Sequence, residues 1–338
     1  MSSCPAKAGP GPRSPAPSIF YLAPHADDVV LSCAGHLAGE VAQGRAVTLV
    51  TVFLSGSAAE HRRAEDERAA AVLGCRYLSL GLFDAADRPE VRGRLGVFTA
   101  FGPPHLGITS EVVARLRWHI KAPAELVAPL AVGGHIDHRI VHEAARALAY
   151  ELRLPLTYYE DQPYSLAPYA LGRRLAALET EPGTDLPGTG RATPGRERRA
   201  YSDFFRGLPM LRSLPPGVRC LGAYLLGRAA LRADRGGQRP GLPPRLRPQL
   251  REISAQRPTR TAAIAAYASQ WPLFADSPEA LEERLYRYGQ ALQAGSAPSA
   301  RGDGPAAPTG APASPASPAS PASPASFERL WQDHGIWK

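Results

Sequence analysis

The sequence predicts an α/β fold, a mostly parallel sheet with helices on both faces. Three observations predict it. Short apolar runs alternate with longer segments of helical periodicity from residue 19 to residue 159. Turn residues close the first units, at Pro24, Gly44 and Gly74. Alternating strand and helix elements of these lengths need cover on both faces, which a parallel sheet between helices supplies.

The elements follow in order. The run 19–23 is a buried strand that ends at Pro24, and 28–43 carries apolar residues at helical spacing up to Gly44. Strand two is 46–54, rich in Val, Thr and Leu; helix two is 61–73, stopped by Gly74; strand three is 76–80. An irregular Gly- and Pro-containing stretch covers 81–107. Helix three is expected from an N-cap at Thr109 or Ser110 to residue 120. Strand four is 125–131, helix four runs from near His138 to about 152, and strand five is 155–159. In the common order 3-2-1-4-5, strands one and four are neighbours and the winding reverses between them. A crevice then opens at their carboxyl ends, as in Rossmann-like folds.

Beyond Glu160 the pattern weakens into a smaller C-terminal extension. Helices are expected at 166–178, 260–268 and 278–292, with a Pro/Gly/Thr-rich loop at 179–199. The core is 18–165, and 166–296 continues the same domain as a substrate rim, together with the 81–107 loop. Residues 1–17 read as a disordered leader without an apolar signal-peptide core. The segment 297–326, with a Ser-Pro-Ala repeat from Ala313, reads as a disordered insertion, because the amphipathic end 327–338 is expected to dock back.

The 338 residues carry a formal charge of +8, nearly all from arginine, since the lysines are only Lys7, Lys121 and Lys338. No basic motif interleaved with aromatics accompanies that charge, so no nucleic-acid partner is expected. Cys4, Cys33, Cys75 and Cys220 form neither a CxxC pair nor a ladder, and reduced thiols in a cytoplasmic protein are expected. No run of about 18 apolar residues exists, so no transmembrane helix is expected. GxGxxG, GxSxG, HExxH and P-loop motifs are missing, and Ser55 reads as a turn residue rather than a nucleophile.

Two segments carry the chemistry. His25, Asp27 and Asp28 follow strand one, and His135, Asp137 and His138 follow strand four. Imidazole plus carboxylate suits Zn2+ or another first-row divalent ion, and a catalytic zinc needs three protein ligands with one open position. His25, Asp28 and His138 form that set. Asp27 is the general base for a water whose pKa the ion lowers. His135 is a protonated partner that stabilises the oxyanion and protonates the leaving amine. Asp137 orients His135 or His138. The competing readings are an N-cap for Asp27 or Asp28 and a surface turn for 135–138. The occurrence of both segments at adjoining strand ends argues against them. His36, His105 and His119 read as structural or solvated.

These residues resemble a known family. Pro24-His25-Ala26-Asp27-Asp28 is similar to the PHPDDE signature of the PIG-L (LmbE-like) zinc de-N-acetylases. Gly134-His135-Ile136-Asp137-His138-Arg139-Ile140-Val141 resembles that family's HxDHxxV motif. Arg62 and Glu65, with Leu73-Gly74 beyond, resemble its RxxE…LG helix, and Leu80-Gly81-Leu82-Phe83-Asp84 its substrate-side loop. The likeness is clear over 18–165 and looser at 158–164 and 328–331. It implies zinc on His25, Asp28 and His138, Asp27 as base, and His135 as acid or oxyanion stabiliser with Asp137 in support. It also implies sugar contacts from Arg62 and Asp84. Ala26 and Val29 depart from the signature: the first is expected only to loosen the turn, the second to alter substrate contacts, and neither is a metal ligand. The expected activity is removal of the N-acetyl group from an N-acetylglucosamine-type sugar or its conjugate. The alternatives are an amidohydrolase for a non-sugar N-acyl substrate, or a basic nucleic-acid-binding protein on the same scaffold.

Overall fold

The computed structural model describes residues 16–88, 106–178, 193–212, 214–233, 245–294 and 325–334. Among these, seven strands form one sheet: Ser18–Ala23 (β1), Val47–Phe53 (β2), Arg76–Leu82 (β3), Ala124–Pro129 (β4), Leu156–Tyr159 (β5), Leu246–Glu252 (β6) and Phe327–Asp333 (β7). Their order is β3-β2-β1-β4-β5-β7-β6. β1 to β5 are parallel, whereas β7 runs antiparallel to both β5 and β6. The first five strands therefore take the order expected from the sequence, and β7 lies inside the sheet.

Nine α-helices lie among the described residues: Asp28–Ala42 (α1), Ala59–Leu73 (α2), Leu106–His119 (α3), Ile136–Leu152 (α4), Ala170–Ala177 (α5), Pro194–Arg206 (α6), Pro216–Ala233 (α7), Arg257–Ala265 (α8) and Pro278–Gln293 (α9). The strand alternation assigns them to two faces. Ile19, Tyr21 and Ala23 of β1 join a buried cluster with α1, α2, α8 and α9. Leu22 joins the opposite cluster with residues of α3 to α7.

Three expectations need correction. α3 starts at Leu106, and Thr109 is buried inside it rather than capping it. The loop expected at 179–199 gives way to α6 at Pro194. Proline suits a first helical turn, and Glu197, Tyr201 and Phe205 recur every four residues on its buried face. α7 and β6 are unpredicted; β6 carries Pro248 and three charged residues, a composition tolerated at the sheet edge it occupies. The leader and the Ser-Pro-Ala segment fall, apart from their inner ends, outside the described residues.

The register places the ends of β1 and β4 side by side, with Ser18 opposite Ala124 and Tyr21 opposite Val127. Both chains turn into helices at that edge, which brings the 25–28 and 135–138 segments together.

Candidate metal centre and cleft

The turn after β1 is tight. Asp27 sits at the N-cap of α1 with φ 90° and makes no side-chain capping bond. Its carboxylate is therefore no helix cap; it lines the cleft while only 8% exposed. Asp28 begins the helix, and its Oδ2 accepts from the His25 backbone N–H at 2.7 Å. After β4, Ala131, Gly133 and Gly134 all have positive φ. At Gly133 a Cβ would meet the Tyr164 ring at 2.9 Å, so glycine is required there for space as well as for backbone. His135 then caps α4, its Nδ1 accepting from Asp137 N–H at 3.2 Å.

His25 and His138 share one design. His25 Nε2 is 2.9 Å from Asp137 Oδ2, leaving Nδ1 turned toward Asp28 Oδ2 at 3.3 Å. His138 Nδ1 is 2.6 Å from Asp161 Oδ1, leaving Nε2 3.4 Å from the same Asp28 oxygen. Each imidazole thus has one nitrogen held by a buried carboxylate and the other aimed at a common point. Separations of 3.3 and 3.4 Å are long for a good hydrogen bond. They match the edge of a tetrahedron with ligand bonds of about 2.0–2.1 Å, which is about 3.3 Å. One nitrogen each of His25, His135 and His138 also lies within 4.8 Å of the others. The donor set therefore fits a divalent ion, and the outer carboxylates are those that fix tautomer and orientation around such ions.

The electrostatics agree. Burial disfavours a charged His25, but the Asp137 and Asp28 carboxylates outweigh it and lift its pKa to about 10. A site that draws a proton so strongly favours a cation. Asp28 is also buried, yet His138 and His25 hold its pKa down. Asp27 is pushed well up, by burial first and by Asp28 next, with Arg62 opposing. His135 is pulled down to about 3 by burial and by His25. Burial and the neighbouring His25 thus disfavour the protonated form expected for it from the sequence. With Nδ1 accepting from Asp137 N–H, Nε2 is the nitrogen left to donate.

Asp137 orients His25, whereas His135 or His138 was expected. It also accepts from Ala85 N–H and pairs with buried Arg88, which stacks 5.1 Å over Phe53. Arg62 and Asp84 both line the cleft, with Nη1 to Oδ2 at 3.9 Å. The cleft has a volume of about 270 Å³. Its described rim comes from residues 84–86, 162–164, Gln270 and Phe274. Sequence reasoning assigned no role to Arg88, Asp161, Tyr164 or Gln270. Asp161 carries the same signal as Asp28, a carboxylate just beyond a strand end, here β5.

An α/β protein with a histidine–carboxylate centre at adjoining strand ends defines the class. Residues 20–149 match the family model PIG-L: GlcNAc-PI de-N-acetylase, and the chain carries a PIG-L family domain over that span. Over 166 residues it is 36% identical to a 2'-N-acetylparomamine deacetylase of Streptomyces fradiae, across 43% of this chain and 57% of that protein. The chain thus matches little more than half the length of that relative. Two solved structures share the fold over 94% of this chain. One is a deacetylase–teicoplanin complex from the teicoplanin pathway, with a TM-score of 0.52, 19% identity and 98% of that chain covered. The other is a zinc-inhibited form of a teicoplanin deacetylase, with 0.51, 17% and 97%. No helix among the described residues is long and apolar enough to cross a membrane.

Proposed function

We propose that the chain is a metal-dependent de-N-acetylase of an amino sugar or its conjugate, with Zn2+ held by His25, Asp28 and His138. The convergence of His25 Nδ1 and His138 Nε2 on one Asp28 oxygen carries this reading. The family match, the acetylated amino sugar named for the Streptomyces relative and the zinc named for a solved structure of the same fold support it. Such an ion supplies Lewis acidity, polarising an acyl carbonyl and making water a nucleophile at neutral pH.

The chain's own residues do the rest. Asp27, unpartnered and facing the cleft, takes the proton of the attacking water. Its raised proton affinity lets it deliver that proton to the departing nitrogen, so the amide C–N bond breaks to acetate and a protonated amine. His135 Nε2–H donates to the oxygen on which charge develops. Asp137, with Arg88 behind it, and Asp161 keep the two histidines in register. Arg62 and Asp84 hold sugar hydroxyls at the mouth.

The test is amine release from acetylated aminoglycosides and from N-acetylglucosamine conjugates, with and without a chelator. Chelator-sensitive release from a sugar is expected. Release only from N-acyl amino acids would move the reading to a non-sugar amidohydrolase. Inactivity on every substrate, combined with salt-sensitive DNA binding, would move it to the basic-scaffold alternative.

A further inference from the structure

Arg62 lies at the cleft mouth held by two long contacts: 3.4 Å from Nη2 to Gln270 Oε1 and 3.9 Å from Nη1 to Asp84 Oδ2. Gln270 itself is held firmly. It is 8% exposed, and its Nε2 donates to Ser269 Oγ at 2.7 Å. Ser269 in turn donates its N–H and Oγ–H to the two oxygens of Glu65 at 2.8 and 2.6 Å, and Glu65 is fully buried. Arg62 and Glu65 are three residues apart, hence on one face of α2. That face grips residues 269–270 at two points, the buried carboxylate at the bottom and the guanidinium at the top.

We infer that Gln270 is a positioning residue for substrate binding, presenting the Arg62 guanidinium to the sugar through the chain Glu65–Ser269–Gln270. The inference rests on the de-N-acetylase reading for the identity of the sugar. The side-chain hydrogen bonds of Gln270 go to Arg62 and Ser269, not to His25, Asp27, Asp28, His135 or His138. Its contact to Arg62 is weak enough to exchange for a hydroxyl, while its own amide cannot swing away. A flexible arginine so prepared loses less freedom when the ligand arrives. The wall that does this comes from the segment after α8, with Gln270 lying 208 residues beyond Arg62.

The experiment compares wild type, Gln270→Ala, Ser269→Ala, Arg62→Ala and the Arg62→Ala/Gln270→Ala double variant. The probe is methyl N-acetylglucosaminide, with Kd read by NMR titration and KM and kcat by amine release. Gln270→Ala is expected to raise Kd and KM about tenfold, the effect of losing one hydrogen bond's worth of positioning, with kcat changed far less. Ser269→Ala, which does not line the cleft, moves Kd in the same direction by less. In the Arg62→Ala background, Gln270→Ala adds nothing, because the two residues act as one unit. An unchanged Kd in Gln270→Ala, additive effects in the double variant, or wild type that does not bind the glycoside would each overturn the inference. Wild type that binds the glycoside and releases no amine would retire the de-N-acetylase reading, while the Kd series still decides the role of Gln270.

Discussion

Asp27 and Asp28 are adjacent carboxylates with opposite environments. Asp28 is embraced by two histidines, and its oxygen is fixed by a backbone N–H. Asp27 has no such partner and occupies a backbone conformation, φ 90°, that non-glycine residues rarely adopt. Holding a residue there costs about 1–3 kcal/mol, and such strain collects at functional sites. Asp27→Gly is expected to relieve it, raising the stability of metal-free protein in urea by about 1 kcal/mol over Asp27→Ala while turnover stays about 10²–10⁴-fold down. Equal stability of the two variants would show that the turn stores no strain. Asp161 bears on the other histidine. Asp161→Asn is expected to weaken zinc binding about 10–100-fold in a chelator competition without removing a ligand. An unchanged zinc affinity would mean that Asp161 serves only to pin Val132 N–H. At this scale the sequence was partly legible. His25, Asp27, Asp28 and the 135–138 segment stand out because each is a cluster of ligand-type residues right after a strand. Asp161 shares that strand-end position, but its partner His138 lies 23 residues away, and Arg88 has no such signal, since its partner Asp137 lies 49 residues away and only the fold brings them close.

α2 is an element in which local and long-range forces are visible together. It is weakly apolar, and what fixes it is a row of buried polar contacts. Asp66 accepts from Thr51 on β2 at 2.7 Å, Tyr77 on β3 at 3.0 Å and Tyr267 at 2.7 Å. Burial raises its pKa to about 6 although these three hydroxyls oppose the shift. The folded protein therefore binds this proton more tightly than the unfolded chain, whose carboxyl titrates near 3.8. The corresponding stability is complete below about pH 4 and is lost as pH rises through about 6, roughly 3 kcal/mol in all. Urea titrations from pH 4 to 8 are expected to show this fall in the wild type and its loss in Asp66→Asn; the same slope in both would rule Asp66 out as its origin. The strands and helices of the first half were legible because they alternate cleanly. α6, α7 and β6 were not, since Pro, Gly and Arg mask their periodicity, and α6 declares itself only by the four-residue spacing of its buried side chains.

Over the whole molecule, the last described strand ties the halves together. β7 inserts between β5 and β6 and buries Trp331 completely. Trp331 Nε1 donates to Glu160 at 2.7 Å, and Arg329 pairs with the same carboxylate. Glu328 accepts from the backbone N–H groups of Gly35 and His36 in α1, so β7 also buttresses the helix that begins at Asp28. The sequence signals an amphipathic end at 327–331 but gives no sign that it becomes an interior strand, because its pairing partners are remote. Trp331→Ala is expected to cost about 3–5 kcal/mol in chemical denaturation. A loss below about 1 kcal/mol would mean that β7 is peripheral to the fold.

The most direct test of the central claim is zinc content measured beside amine release for wild type, Asp27→Ala and His138→Ala. The geometry predicts about one zinc per chain in wild type and in Asp27→Ala. Zinc should be lost in His138→Ala, and turnover should survive only in wild type. Undiminished zinc in His138→Ala, or full turnover in Asp27→Ala, would contradict the site described here.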